Sequence, residues 1–191
     1  MLFVFLLACI PELTSPASND DVVGACAGGL PENQWPTGEP PATLAGEGYE
    51  VGEVASDACV PDQNGDDVAL WQFYGRVWVL DVSTMWCAPC QVLAHGLQEI
   101  ADGYAEEDFS YVTVLAEDLG SDVPDNAELN EWADNFGILE PVLADEVGFT
   151  SGIVRNGTYP AVLIIGRDMV VHERLDVPSD EAIIEAVDAA L

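Results

Sequence analysis

Val77-Trp78-Val79-Leu80-Asp81-Val82-Ser83-Thr84-Met85-Trp86-Cys87-Ala88-Pro89-Cys90 joins an apolar run to a Cys-x-x-Cys turn. The run Val77 to Val82 has the composition of a buried strand, and the turn is expected to open a helix from about Ala88 to Tyr104. Pro89 suits the first turn of that helix, where a missing N–H leaves no helical bond unmade. A cysteine at the helix start faces unsatisfied backbone N–H groups and the positive end of the helix dipole, both of which favour a thiolate. Cys87 is therefore the expected nucleophile, and Cys90, one turn further in, the shielded resolving thiol. Cys-x-x-Cys is also a zinc-knuckle spacing, but that chemistry wants a second Cys or His pair, and Cys26, Cys59, His95 and His172 form none. The dithiol is read as redox, with no cofactor and no metal.

The rest of the chain alternates strands with helices. An Asn-Gly turn at Asn64-Gly65 separates Ala58-Cys59-Val60 from Val68-Ala69-Leu70 and predicts an N-terminal hairpin. A strand from Tyr111 to Ala116, a helix from about Asn126 to Asn135 and a short element at Val142-Leu143 follow the catalytic helix. Ala161 to Ile165 and Met169 to Glu173 are expected to form a second hairpin, and Ser179 to cap a last helix, Asp180 to Ala190. This order gives an α/β sandwich around a mixed sheet, and about 140 residues are enough to bury its core as one domain.

The Trp86-to-Cys90 segment resembles the thioredoxin superfamily. The wider chain, Tyr49 to Leu191 or about three-quarters of it, resembles the TlpA/ResA-like, AhpC/TSA-redoxin-related branch. The resemblance implies a thioredoxin-like three-layer α/β/α sandwich with an N-terminal hairpin extension. It also implies a central helix–strand insertion, which Asn130 to Asp145 resembles. Asp81 stands six residues before Cys87, where thioredoxins carry a buried acid, and Trp86 matches the tryptophan before the first cysteine. Tyr159-Pro160 matches the cis-proline loop that packs against the disulfide, and Glu117 sits where some of these proteins place an acidic residue near the active site. Each residue also has a plainer role open to it. Asp81 is either a buried acid that takes the proton of Cys90 or a solvated strand end. Glu117 is either a site acid or a loop carboxylate, and Trp86 either shapes a substrate groove or only packs. His95 and His172 read as surface residues.

Residues 1–9 read as a lipoprotein signal segment, since Leu6-Leu7-Ala8-Cys9 resembles a lipobox with Cys9 the lipidated residue. Its seven apolar residues are far too few to span a bilayer, and the usual basic residues before them are missing. Residues 10–48 hold six of the twelve prolines and read as a tether with little regular structure. Residues 49–191 are the thioredoxin-like domain. With Cys9 assigned to lipid and Cys87 and Cys90 to chemistry, Cys26 and Cys59 are left as a structural disulfide or as two buried thiols.

Lys and Arg total 4 against 35 Asp and Glu, a formal net charge of -31. That field disfavours nucleic acid and anionic membrane surfaces and favours basic protein partners, although a saline habitat explains the same composition. The expectation is a monomeric, extracytoplasmic, lipid-anchored thiol-disulfide oxidoreductase. The resemblance implies that it exchanges disulfides with protein substrates such as apocytochrome c or copper-site cysteines, using electrons from a membrane-bound donor. Two other readings stand beside it. One is a peroxiredoxin-like thiol peroxidase, because Thr84-x-x-Cys87 partly matches a peroxidatic motif, although Leu80 occupies its proline position. The other is a copper-binding chaperone that uses the dithiol with a histidine.

Overall fold

A computed structural model of the chain describes residues 26, 27 and 29–191, so Cys9 and the expected lipobox lie outside the described residues. The elements run β1 (Cys59–Pro61), β2 (Asp67–Ala69), β3 (Val77–Thr84), α1 (Ala88–Gly103), β4 (Phe109–Glu117), α2 (Asn126–Phe136), β5 (Val142–Ala144), β6 (Ala161–Ile165), β7 (Val171–Asp176) and α3 (Asp180–Ala190). β1 and β2 form the expected hairpin. The other five strands make one mixed sheet in the order β5-β4-β3-β6-β7. β3, β4 and β5 run parallel, and β6 is antiparallel to both β3 and β7. The fold is the α/β sandwich read from the sequence.

Alternation along the central strand assigns each residue to a layer. Val77 and Val79 face a core shared with Leu93 and Leu97 of α1, Leu129 and Trp132 of α2, and Ile183 and Val187 of α3. Trp78, Leu80 and Val82 face the opposite core, where Val60, Val68, Leu70 and Phe73 meet them. All three α-helices therefore cover one side of the sheet. The β1–β2 hairpin and short 3-10 turns at Leu70–Phe73 and Phe149–Gly152 contribute to the layer on the other. The helices stop and start where local chemistry dictates. Asp125 and Glu128 form a reciprocal capping box on α2 and Gly137 ends it in the left-handed conformation, while Ser179 Oγ accepts the Ala182 N–H at the start of α3.

The last hairpin differs from its expected limits. β7 begins at Val171 rather than Met169 and extends to Asp176. Met169 sits at positive φ in a tight turn, its N–H donating to the Gly166 carbonyl while the Gly166 N–H donates to Val170. An apolar residue so placed looks like strand in sequence, yet its side chain is fully buried from the turn.

From residue 29 to 48 the chain has little regular secondary structure, but it is fastened to the domain. The Trp35 indole N–H donates to Asp62 at 2.6 Å, and the Asn33 and Gln72 side-chain amides exchange hydrogen bonds at 3.0 and 3.1 Å. Trp35 and Leu44 pack onto the core beneath the hairpin. A disulfide joins Cys26 to Cys59 across a sequence separation of 33. Closing a loop of that size restricts the unfolded chain, so replacing both cysteines with serine is expected to lower stability by about 2–4 kcal/mol. Denaturant unfolding of the oxidised protein with and without the pair measures this, and an unchanged midpoint would refute it.

Candidate active site

β3 ends and α1 begins within four residues, and this turn carries the dithiol. Cys87 is the N-cap of α1, in extended backbone, and its Sγ accepts the Cys90 N–H at 3.2 Å. The sulfur therefore occupies the place that a serine or aspartate oxygen takes at other helix starts. Pro89 lies in the first turn of the helix. Cys87 and Cys90 form a disulfide, with Cys87 5% exposed and Cys90 fully buried. The turn is braced by the Gln91 side-chain amide, which donates to the Met85 carbonyl at 2.8 Å, and by the Met85 N–H, which donates to the Glu117 carbonyl.

Trp86 is 46% exposed, a large aromatic kept at the surface beside the dithiol. Its indole N–H donates to Glu117 Oε2 at 2.8 Å, and its ring meets Tyr159 edge to face with centroids 5.9 Å apart. Glu117 at the end of β4 and Tyr159 before β6 thus hold the tryptophan from two sides. The Tyr159–Pro160 bond is cis, Pro160 is buried, and its carbonyl accepts the Val177 N–H at 2.9 Å. Burial, with the Glu117 and Asp145 carboxylates, holds the Tyr159 phenol above its ordinary pKa.

Asp81 lies inside the sheet, 1% exposed, on the α1 side of β3. Ser83 Oγ donates to its Oδ1 at 2.8 Å. Burial raises its carboxyl to about 7, opposed by that one hydrogen bond, so the group exchanges a proton near neutral pH. On the neighbouring strand Thr113 stands in register with Asp81 and Tyr111 with Val79. Both hydroxyls are buried without a protein partner, and burial together with Asp81 and Asp180 pushes the Tyr111 phenol well above its usual value. A small polar patch therefore underlies α1 in an otherwise apolar layer.

The sequence reading named Cys87, Cys90, Asp81, Trp86, Glu117 and Pro160. The structure places Cys87, Cys90 and Trp86 on one turn, with Glu117 and the Pro160 loop on adjoining strand ends and Asp81 on the sheet beneath. Ser83, Tyr111 and Thr113 were not among those site residues. Ser83 follows Asp81 by two, hence on the same face, and the odd-numbered polar residues of the next parallel strand were a period-2 signal of the same kind. His95 and His172 are exposed, and His95 stacks edge-on against Phe136. Among the described residues the one group of three metal-ligating side chains is Cys26, Cys59 and Asp67, and its two sulfurs are bonded to each other.

A model of the AhpC/TSA family matches residues 51–174. No curated protein matches the chain in sequence. Among solved structures, a DsbF homologue from Corynebacterium diphtheriae aligns with a TM-score of 0.62 at 18% identity, over 80% of this chain and 98% of its own. A secreted Mycobacterium tuberculosis disulfide oxidoreductase homologous to E. coli DsbE aligns at 0.56 and 18% identity, over 69% and 94%. The peroxidoxin BcpB of M. tuberculosis aligns at 0.62 and 16% identity, over 75% and 99%. These likenesses establish the thioredoxin-like fold.

The state of Asp81 makes stability depend on pH with a definite sign. A folded-state pKa raised from 3.8 to about 7 favours the protonated form, so this contribution is complete below about pH 4 and is lost as pH rises through 7. The loss is on the order of 4 kcal/mol. Asp57, also raised by burial, to about 6, acts in the same direction. Asp81→Asn is therefore expected to be more stable than the parent at pH 8 and nearly equal at pH 3, where the parent carboxyl is protonated in both the folded and the unfolded chain. Denaturant midpoints at both pH values test this, and an identical difference at the two would reject it.

Proposed function

The chain belongs to the AhpC/TSA family, and from that membership and the Cys87–Cys90 pair we propose a thiol-disulfide oxidoreductase acting on proteins outside the cytoplasm. The observation that carries this is the dithiol itself, with one sulfur capping a helix start beside the exposed Trp86 and the other fully buried one turn behind it. In the reduced protein, the Cys87 thiolate attacks one sulfur of a substrate disulfide, forming a mixed disulfide and releasing the other substrate sulfur as a thiolate, which takes up a proton. Cys90 gives its proton to Asp81, on the sheet face beneath α1, and attacks Cys87 Sγ. The second substrate sulfur leaves reduced, and the protein ends as the Cys87–Cys90 disulfide, two electrons having passed to the substrate. A dithiol donor reverses the last two steps to restore the enzyme.

Trp86, held by Glu117 and Tyr159, forms the rim against which the substrate chain lies beside Cys87. Cys9, outside the described residues, is the proposed lipid acceptor, and the electron donor is a membrane-bound dithiol protein. Apocytochrome c and copper-site cysteines are the substrates this reading favours, with the protein working as a monomer. Among the described residues no helix is long and apolar enough to cross a membrane.

A thiol peroxidase is the second reading, because family and fold both accommodate it. Its chemistry would engage Thr84, three residues before Cys87, but the Thr84 hydroxyl is buried without a hydrogen-bond partner. The two are separated by substrate. The reduced protein is expected to reduce insulin disulfides, to lose that activity at least about a hundredfold in Cys87→Ser, and to accumulate a mixed disulfide in Cys90→Ser. Fast consumption of hydrogen peroxide without insulin reduction would replace this proposal with the peroxidase.

A further inference from the structure

The outer surface between α1 and α3 is a trough that starts at the dithiol. Its first section, about 650 Å³, is lined by Ala88, Pro89, Val92, Val177 and Pro178, and Ala88 follows Cys87 in the chain. Asp180 and Glu181 line both this section and a second of about 290 Å³, and Glu99, Ile100 and Ile184 carry the second into a third of about 240 Å³ that ends at Gly103 and Tyr104. The three sections thus share walls and follow α1 along its 16 residues, about 24 Å.

Two properties set this trough apart from a merely solvated face. Its apolar side chains are held outward: Val92 is 71% exposed, Val177 47% and Ile184 38%. Val177 is β-branched and at positive φ, fixed there by its N–H bond to the Pro160 carbonyl, so a disfavoured backbone presents an apolar group at the mouth of the site. Its charges are of one sign. Asp180, Glu181 and Glu99 lie near enough for the last two to add to burial in raising the Asp180 carboxyl. Among the described residues no arginine lines the trough. Arg76, Arg155 and Arg174 pair with Asp108, Glu50 and Asp176, and Arg167 reaches the carbonyl of Leu191. Gly96 lets the Asp180 carboxylate lie against α1 in the middle section, since a Cβ there would meet Asp180 Oδ2 at 2.2 Å.

We propose that this trough docks a cationic, apolar-studded segment of the protein that exchanges electrons with Cys87, a reading that rests on the oxidoreductase function above. An apolar floor with an acidic rim fits a chain carrying Lys or Arg beside Leu or Val, and continuity with the dithiol fixes where its cysteine must lie.

Two disulfide-linked peptides test this, identical except that the flank beside the cysteine carries Lys and Leu in one and Glu and Leu in the other. Bis(2-hydroxyethyl) disulfide serves as a substrate too small to use the trough. At low salt the reduced protein is expected to react at least about tenfold faster with the basic peptide than with the acidic one. Glu99→Lys with Glu181→Lys should bring the two rates to within about twofold. Glu173→Lys, an exposed change on β7, should keep most of the preference. Val92→Ser with Ile184→Ser should slow the basic peptide several-fold even in high salt, where the rim charges are screened. Equal rates for the two peptides, or a preference abolished by Glu173→Lys as fully as by the trough variants, overturn the docking site while leaving hydroxyethyl disulfide exchange intact. Failure to reduce hydroxyethyl disulfide removes the oxidoreductase function and this inference together.

Discussion

All eight residues of β3 are shut away from water on both faces of the sheet. Most of its apolar side chains contribute roughly 1.5–3 kcal/mol each on burial, and this fixes which side of the sheet each residue must take. The three helices gather against Val77 and Val79, while the hairpin gathers against Trp78, Leu80 and Val82. Because the strand is buried to its last residue, the chain reaches the surface only at the turn that follows. Cys87 is placed by the same burial that holds the core together.

The one charged residue in that strand is the exception that matters. A lone carboxylate among apolar neighbours is expensive to keep ionised, and Asp81 receives a single side-chain hydrogen bond in return. Its location on the α1 side, rather than the hairpin side, sets it beneath the helix that carries Cys90 instead of in an unrelated core. Tyr111 and Thr113 share that side with unpartnered hydroxyls, so the interior under the dithiol is polar where the rest of the layer is not.

The turn chemistry and the period-2 runs were legible, because they are local. Asn64-Gly65, Ser179 and Pro89 each act within a few residues, and each element they delimit was found near its true bounds. Met169 misled for the opposite reason, since its burial comes from the folded turn and not from a strand. Residues 10–48 read as a tether on composition, and the fastening of their described part to the domain depends on Trp35 reaching Asp62 and Asn33 reaching Gln72. Such contacts cross more than 25 residues and leave no periodic trace. At the site, Glu117 was legible only through resemblance, because its bond to Trp86 spans two strand ends that the sheet brings together.

The bond between Cys26 and Cys59 has a mechanical side. A pull applied to the chain ahead of Cys26 passes through the sulfurs straight to β1, so residues 27–58 hang outside the loaded path. The contacts of Trp35, Leu44 and Tyr49 with the sheet then bear no tension while the bridge is closed. Reducing it would route the same force through those contacts one by one, which makes the oxidation state of this pair, separate from Cys87–Cys90, decide how the domain yields when stretched.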